Sequence, residues 1–408
     1  MKSDRSPIKL LILIQLISMG AMEMSGPFWP LQIKALLRPE DTRYIGLLST
    51  IVYAGPLLAA MVFTPMWGRL GDRVGHKIMI VRALFALALC QGLAAMLNDA
   101  WMLVTVRAAQ GALAGFITAA QAYAMVYCPD NSRGKTLAGL QSATAIGSLM
   151  GPVLGGWLMQ TQDFALLCYS AAFICLLCAM LSLSLPALPG RQRELNPRPA
   201  ASTQKRWLSG LLTIIVLIQA AKLMPQPFYA LYVIEILHGA PWLIGISYAA
   251  SAATLAISAP VWGKLFDRRH SSQTLRVIER VTWLCAATLA VSALASDWTS
   301  FIASRLIWGV WQGALLPVAY ALIANTMPLS EHGFALGMGN STAKAGALLG
   351  LLIGGLGISA IGLDQGFWLV ALTYAFAAVA IRAVRIVSQQ SNSPFTPASL
   401  QPHKKTKR

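Results

Sequence analysis

The stretch GSLMGPVLGG, residues 147–156, places four glycines in the pattern G-x3-G-x3-G-G within an apolar run. The pattern returns as GALLGLLIGG at residues 346–355, 199 positions later. Because residues four apart share one face of a helix, each stretch predicts a flat stripe that a second helix backbone can approach closely. The chain is therefore expected to contain two related, closely packed helices, one in each half.

The composition of the 408-residue chain is that of a membrane protein. Hydrophobic residues make up 56%, charged residues only 12%, and the mean hydropathy is +0.60. A helix needs roughly 20 apolar residues to cross about 30 Å of hydrocarbon. Since lipid-exposed backbone groups must be paired within their own segment, we expect an all-α fold of continuous helices. Twelve runs are long enough, at residues 10–37, 44–66, 78–97, 101–126, 136–160, 164–186, 208–237, 241–263, 277–296, 299–326, 333–360 and 365–387.

Three further repeats occur at nearly the same offset. PFWPLQIKALL (27–37) matches PFYALYVIEIL (227–237), GRLGDR (68–73) matches GKLFDR (263–268), and R-x3-G-x3-G occurs at 107–115 and 305–313. The repeats predict two six-helix halves, 1–186 and 208–408, joined by a Pro- and Arg-rich linker at 187–207. Two parallel halves with a substrate site between them near the bilayer midplane are typical of secondary transporters.

The net charge of +17 is explained by its distribution rather than by a nucleic-acid partner. Most of the 32 Lys and Arg fall in the N-terminus, in alternate loops and in the tail HKKTKR. Only Lys34, Arg38 and Arg43 lie between spans on the other side. This asymmetry follows the positive-inside rule and predicts that both termini are cytoplasmic. We expect a multi-pass protein of a cell inner membrane, with basic segments against the lipid headgroups.

The motifs of membrane-embedded enzymes do not occur in the sequence. It contains no H-E-x-x-H, no G-x-x-x-x-G-K-[ST] and no paired histidines with carboxylates. The six cysteines lie in or at the ends of apolar helices, and the C-x-x-C pair Cys175 and Cys178 is interpreted as packing. We therefore predict no enzyme activity, no cofactor and no metal.

Five charged residues lie six or more residues inside the predicted spans: Glu23, Arg107, Lys222, Arg305 and Lys344. Each unpaired charge near the bilayer centre costs roughly 2.5–3.5 kcal/mol on insertion scales. Such side chains are expected to face one another or water. Arg107 and Arg305 are near enough to their helix starts that extension of the side chain to the membrane interface is an alternative.

Three stretches together resemble the motifs of the major facilitator superfamily. GRLGDRVGHK (68–77) resembles the family's loop between the second and third helices, and LVTVRAAQGALAG (103–115) resembles its fourth-helix motif. GSLMGPVLGG resembles the fifth-helix motif of its proton-coupled antiporters. The chain is identified as a member of this superfamily. The resemblance implies 12 transmembrane helices in two pseudo-symmetric six-helix bundles, a monomer embedded in lipid, and protons and a small molecule as its partners.

The resemblance also implies two mechanical elements. Gly68, Asp72, Arg73 and Gly75 would form a turn that acts as a conformational latch, with Asp72 against the start of the eleventh helix near residue 333. The fifth-helix residues would pack across the halves against the eighth span, 248–260, which is rich in small residues. Those fifth-helix residues are Gly147, Gly151, Pro152, Gly155 and Gly156.

In the superfamily the first, fourth, seventh and tenth helices line a central cavity, which would bring Glu23 near Arg107. A carboxylate that alternates between wet and dry, paired and unpaired surroundings can take up and release a proton near neutral pH. We therefore interpret Glu23 and Arg107 as the proton-coupling pair. Two alternatives for Glu23 stay open, which are direct binding of a substrate cation and a structural ion pair with Lys222 or Arg107.

The predicted cavity is net positive, which favours an anionic substrate. Its expected lining residues are Lys222, Lys344, Gln110, Gln219, Asn340, Trp29, Tyr229 and Trp308. This set suits a carboxylated metabolite with a flat surface, such as a carboxylate siderophore, and the chain loosely resembles siderophore exporters. The expected function is proton-coupled export of a small organic molecule. A multidrug efflux pump and an organic-acid importer are the alternatives.

Overall fold

A computed structural model of the chain describes residues 6–37, 44–128, 130–161, 163–187, 205–266, 271–326 and 332–390. The first half contains α1 (Ser6–Met24), α2 (Trp29–Leu36), α3 (Ile45–Val74), α4 (His76–Met96), α5 (Ala100–Leu113), α6 (Phe116–Tyr127), α7 (Asp130–Leu158) and α8 (Phe164–Ser182). The second half contains α9 (Lys205–Leu223), α10 (Tyr229–Leu231), α11 (Pro241–Phe266), α12 (Ser271–Ala293), α13 (Trp298–Thr326), α14 (His332–Ile361) and α15 (Gly366–Gln390).

The helices form twelve consecutive segments, which confirms the predicted all-α membrane fold. Within the described ranges, nine segments are long and apolar enough to cross a membrane by length and composition. The seventh segment contributes a shorter apolar helix, Ser209–Leu223. Most of the predicted linker, 188–204, lies outside the described residues, so the boundaries proposed for the halves stay a prediction.

Three segments expected to be continuous helices are interrupted instead. The first breaks at residues 25–28, the seventh at residues 224–228, and the fourth at Ala114 and Gly115. Prolines lie in the first two breaks, and a proline cannot donate a helical hydrogen bond. Gly115 has φ of 116°, a left-handed conformation that glycine adopts without strain. The expectation of continuous helices was therefore wrong at these three places.

Side chains within the protein pair with the carbonyls at the two breaks of the first half. The Tyr53 hydroxyl donates to the Gly26 carbonyl at 2.7 Å. At the fourth-segment break, Trp67 Nε1 donates to the Ala112 carbonyl at 2.7 Å and Arg82 Nη2 to the Ala114 carbonyl at 3.0 Å. Irregular backbone is tolerated at membrane depth where the protein covers it or where it lines a cavity, and these contacts meet that condition.

The glycine stripes pack within each half, which corrects the expected partner of the fifth-segment motif. Cβ atoms added at Gly147, Gly151 and Gly155 would collide with the backbone of α1, and those added at Gly346, Gly350 and Gly354 with the backbone of α9. Pro152, Val153 and Gly156 lie on the face of α7 that meets α11 across the halves at Gly245 and Trp242, so the expected meeting of the fifth and eighth segments is confirmed. Three of the four motif glycines therefore hold α7 against α1 of its own half. Gly156, on another face of α7, is the one that meets α11.

The two halves meet at one face of the bundle. We call the face where α1 begins and α15 ends the terminal face. At the opposite face, Thr50 on α3 contacts Gly355 on α14, and Gly156 on α7 contacts Trp242 on α11. Lys34 Nζ and a Glu235 carboxylate oxygen pair there at 2.8 Å. Toward the terminal face, Cβ atoms added at the corresponding glycines, Gly68 on α3 and Gly263 on α11, would meet no atom of the described residues within 4 Å.

The GRLGDRVGHK stretch is mostly helical rather than a loop, which corrects the predicted tight turn. Helix α3 continues through Val74, so Gly68, Asp72 and Arg73 lie in its last two turns. The chain reverses at Gly75 alone, which has φ of 96° and donates its N–H to the Gly71 carbonyl at 2.9 Å. One glycine in a left-handed conformation is enough to end one helix and begin the next.

Candidate functional site

A cavity of about 530 Å³ lies between the two halves, on the terminal-face side of the contacts that join them. Its wall toward the opposite face includes Leu351, whose carbonyl accepts a 3.5 Å hydrogen bond from the Thr50 hydroxyl across the halves. Helices α1, α3 and α5 supply the first half of the wall, and α9 and α14 supply the second. The polar and charged lining residues are Glu23, Tyr53, Arg107, Gln110, Gln219, Gln226, Asn340 and Lys344.

Glu23 is positioned by the close packing of α1 against α7. It lies in the last turn of α1, next to the break at Ser25. A Cβ on Gly151 would lie only 2.8 Å from the Glu23 Cβ, and one on Gly26 only 3.0 Å from its carboxylate. Glycine at positions 26 and 151 therefore leaves room for the Glu23 side chain, whose carboxylate lines the cavity.

Arg107 is held on α5 by three groups of the first half. Its Nε donates to the Val52 carbonyl at 3.4 Å, its Nη1 donates to the Gln110 amide oxygen, and its guanidinium lies 4.4 Å from the centre of the Trp29 ring. Within the part of the chain that the structure describes, Glu23 has no basic nitrogen within 4.0 Å of its carboxylate. This geometry disfavours the structural ion pair that the sequence left open, because both groups line the cavity without closing on each other.

The opposite wall carries a cation and two amides. Lys344 and Asn340 lie one turn apart on α14, and both are exposed to the cavity. Gln219 on α9 lines the same wall, and its amide oxygen is buried without a hydrogen-bond partner. A substrate that donates a hydrogen bond would satisfy this oxygen.

Four residues expected in the cavity lie elsewhere. Lys222 is not among the lining residues, and its neighbour Leu223 takes that position. Trp29, Tyr229 and Trp308 are buried in the protein core, at 1%, 1% and 5% exposure. The sequence correctly located six of the polar lining residues but missed Tyr53 and Gln226. For Gln226 a signal was available, since it stands between two prolines in the second copy of the PF repeat.

A smaller cavity of about 220 Å³ lies where α3 meets α4 near the terminal face. Gly68, Asp72, His76 and Arg82 line it, and an Asp72 carboxylate oxygen lies 3.6 Å from His76 Nε2. The predicted contact of Asp72 is with the start of the eleventh helix near residue 333, where the side chains lie outside what the structure describes. The latch of Gly68, Asp72, Arg73 and Gly75 stays a prediction.

The main cavity can bind an organic molecule and a proton but offers no arrangement for covalent chemistry. It combines one carboxylate with two basic groups and several amides at the interface of two related bundles. Among the residues the structure describes, no group of His, Cys, Asp and Glu is placed to hold a metal ion. The profile of the family described as Major Facilitator Superfamily matches residues 11–295 and 211–407.

The chain belongs to the Major Facilitator Superfamily. Among the relatives of this superfamily transporter are the staphyloferrin B transporter of Staphylococcus aureus, 29% identical over 86% of each chain, and the multidrug resistance protein MdtG of Dickeya zeae, 28% identical over 82% of this chain and 83% of that one. The family and these relatives are transporters rather than enzymes.

Solved structures of superfamily members share the fold across nearly the whole chain. A bacterial homologue of the human lysosomal transporter Spinster superposes with a TM-score of 0.78 at 13% identity, covering 97% of this chain and 100% of that one. The nucleoside transporter NupG superposes with a TM-score of 0.75 at 14% identity, covering 92% and 99%. These likenesses confirm the predicted major facilitator fold of two six-helix bundles.

Proposed function

We propose that this transporter exports an anionic organic molecule in exchange for protons, with Glu23 as the proton-coupling carboxylate. The observation that carries the proposal is the position of Glu23, which lines the cavity between the halves near Arg107 and forms no ion pair with any residue that the structure describes. A carboxylate in that position can exchange a proton with the cavity and sense a negatively charged substrate bound to the basic groups beside it.

The proposed direction follows from charge and from the closed face. The basic termini and loops favour a cytoplasmic location for the terminal face. The cavity, closed toward the opposite face by the contacts at Thr50 and Trp242, would then receive its substrate from the cytoplasm. Proton entry from the other side would supply the energy, since one charge crossing 100 mV is worth about 2.3 kcal/mol. A bacterial inner membrane and a monomeric protein are part of the same proposal.

The proposed substrate class is a carboxylated metabolite, such as a carboxylate siderophore. Arg107 and Lys344 give the lining two cations to one carboxylate, and a net positive cavity attracts anions. The relative named for transport of staphyloferrin B supports export of a siderophore. The relatives named MdtG support the second candidate, efflux of several drugs.

The deciding experiment measures proton-driven uptake into inverted membrane vesicles by wild type and Glu23→Gln. The panel contains citrate as an anion, a neutral sugar and a lipophilic cation. We expect citrate uptake driven by the gradient in wild type and a loss of about 100-fold or more in Glu23→Gln, because the amide cannot carry a proton. Citrate exchange without a gradient should remain measurable in the variant.

Asp364→Asn is the matched control, since it makes the same carboxylate-to-amide change at an exposed position between α14 and α15. It should transport citrate like wild type. Gradient-driven uptake that survives Glu23→Gln would remove Glu23 from the coupling role. Preference of the wild type for the lipophilic cation would favour the multidrug function and make Glu23 a substrate-binding residue.

A further inference from the structure

The second half contains a buried cation that the main cavity does not use. Arg305 on α13 is only 4% exposed. Its guanidinium carbon lies 4.1 Å from the centre of the Trp308 ring and 5.1 Å from that of Tyr229. We call these three residues the Arg305 cage. Arg305 Nε and Nη1 are both buried without a hydrogen-bond acceptor.

Arg305 also lacks a counter-ion in the part of the chain that the structure describes. The ion pairs there join Lys34 to Glu235, His76 to Asp72 and Arg385 to Glu279, and none involves Arg305. The Tyr229 hydroxyl is a hydrogen-bond partner of the guanidinium, and two aromatic rings offset part of the cost of its burial, but neither group supplies a negative charge or pairs with Nε and Nη1. A buried charge with free donors is destabilising unless an anion completes it.

The matching arginine of the first half, Arg107, shows which partners Arg305 lacks. Arg107 precedes Arg305 by 198 positions in the repeat and stacks on Trp29 in a similar way. It differs in that its Nε and Nη1 have acceptors, the Val52 carbonyl and the Gln110 amide oxygen, and in having Glu23 on the same cavity. In the second half, the repeat places Lys222 next to the position equivalent to Glu23. At or next to the matching positions, the second half thus has two cations, Lys222 and Arg305, where the first half has an acid and a base, Glu23 and Arg107.

The Arg305 cage lies directly behind the wall of the main cavity. Gln226 lines that cavity and belongs to the break in the seventh segment, three residues before Tyr229. The break is held by backbone hydrogen bonds from Phe228 and Tyr229 to the Pro225 carbonyl, at 3.0 Å and 2.8 Å. Connection of the cage to the cavity would require movement of the Tyr229 ring at this break and release of the 2.8 Å hydrogen bond from the Tyr229 hydroxyl to Ser247 Oγ.

We propose that Arg305 binds a carboxylate group of the transported anion, as a second anion subsite behind the one formed by Lys344 and Arg107. Tyr229 covers the subsite in this conformation, and Trp308 forms its apolar wall. This subsite rests on the proposed function, and it determines which anions the transporter selects. The first half carries the proton on Glu23, and the second half holds a further negative charge of the substrate, which selects molecules with two or more carboxylates.

Arg82 provides a control that shares the chemical features of Arg305. It stacks 3.7 Å from the Trp67 ring centre, and its Nε and Nη1 are also buried without acceptors. However, Asp72 lines the same small cavity, and Arg82 Nη2 donates to the Ala114 carbonyl at the fourth-segment break. Arg82 therefore serves the break near the terminal face rather than the space between the halves.

The test measures equilibrium binding of radiolabelled citrate, with three carboxylates, and butyrate, with one, to purified protein in lipid nanodiscs. Wild type is compared with Arg305→Gln, Arg305→Lys and the control Arg82→Gln, after thermal unfolding has established that each is folded. We expect Arg305→Gln to weaken citrate binding by about tenfold or more, and butyrate binding by less than about threefold. Arg305→Lys should recover part of the citrate affinity, since it keeps the charge but not the planar donors.

Each outcome either supports or overturns the anion subsite at Arg305. Equal citrate affinity in wild type, Arg305→Gln and Arg305→Lys overturns the subsite while leaving proton-coupled anion export intact. An equal loss for citrate and butyrate, or an equal loss in Arg82→Gln, shows that Arg305 is only structural. A wild type that binds no carboxylate but binds a lipophilic cation overturns the proposed function and the subsite with it. If Arg305→Gln does not fold, Arg305→Lys, which keeps the charge, carries the comparison alone.

Discussion

The two halves of this transporter share their packing but not their charges. In both, a stripe of glycines four residues apart lets one helix lie against the backbone of another, α7 on α1 and α14 on α9. In both, an arginine stacks on a tryptophan. Among the described residues, only the first half places a carboxylate near its arginine. The helix that carries the arginine is broken in the first half and continuous in the second. The comparison teaches that the repeat preserves the scaffold, while function depends on the few positions where the copies differ.

The largest difference between the halves is expected at matched glycines. A Cβ at Gly151 would lie 2.5 Å from the Gly20 carbonyl oxygen and 2.8 Å from the Glu23 Cβ, and one at Gly350 would lie closer still to the Ala220 carbonyl oxygen. Gly151→Ala and Gly350→Ala should each destabilise the protein by about 1–3 kcal/mol, because neither backbone contact can yield easily. Only Gly151→Ala should also reduce citrate uptake by more than about tenfold, since it displaces Glu23. Uptake that falls equally in both variants, measured in inverted vesicles, would break the comparison.

A second test separates the two lysines of the second half. Lys344 lines the cavity and Lys222 does not. Lys344→Ala should raise the KM for citrate by about tenfold, the value of one charged hydrogen bond, while Lys222→Ala changes it by less than about threefold. A neutral sugar measured in parallel should be unaffected by either change. A larger effect at Lys222 would mean that this side chain enters the cavity during transport.

The matched tryptophans sharpen the comparison of the helix breaks. Trp67 Nε1 donates to the Ala112 carbonyl at 2.7 Å and Trp262 Nε1 to the Val310 carbonyl at 2.8 Å. The first carbonyl lies at a helix end and needs this donor, whereas the second lies inside the continuous helix α13. Trp67→Phe should therefore destabilise the protein by about 1 kcal/mol more than Trp262→Phe. Thermal unfolding of both variants in the same detergent would check this, and equal values would contradict it.

The smallest effect is expected where the fourth and tenth segments begin. Asp297 accepts hydrogen bonds from the Thr299 hydroxyl, from the Ser300 N–H at 3.0 Å and Oγ at 2.8 Å, and from the Thr299 N–H at 3.0 Å, and these bonds lower its pKa to about 2. Asp99 at the matching position accepts one, from the Met102 N–H at 2.8 Å. A carboxylate with a lowered pKa stabilises the fold above its unfolded-state pKa, and this contribution is lost as the pH falls toward 2.

Replacement of Asp297 should therefore remove a pH-dependent contribution. Between about pH 5 and about pH 2, the unfolding temperature of wild type should fall slightly more than that of Asp297→Asn. The side chain is exposed, so solvent screening keeps the difference small. Parallel curves for wild type and Asp297→Asn would show that the cap contributes nothing.

Much of the fold could be predicted because it depends on patterns that span many residues. Twelve apolar runs gave the segments, and four repeats at nearly one offset gave the two halves. Burial of charge is costly in lipid, which is why Glu23, Arg107 and Lys344 could be expected to face a common cavity. The structure places all three in its lining. Their roles in coupling and binding stay predictions.

The errors arose where a single residue changes the helical phase. Adjacent helical positions point about 100° apart, so on α9 Leu223 faces the cavity one turn after Gln219 while Lys222 does not, and beyond the break at residues 224–228 Tyr229 is buried in the core. Periodicity does not locate such breaks. Likewise, the stripe from Gly147 to Gly155 showed that a backbone would pack closely, but not which one. The partner is α1 because it is the neighbour within the same half.

The ion pair of Lys34 and Glu235 gives the closed face an ionic-strength dependence. It joins the two copies of the PF repeat across the halves, and both side chains are partly exposed. An exposed pair contributes up to about 1 kcal/mol and weakens as dissolved ions shorten the Debye length. Because the bond exists only while that face is closed, salt on that side would shift the resting population toward opening by up to about fivefold. The salt concentration on that side, and not only the substrate, would therefore influence how often this face of the transporter opens.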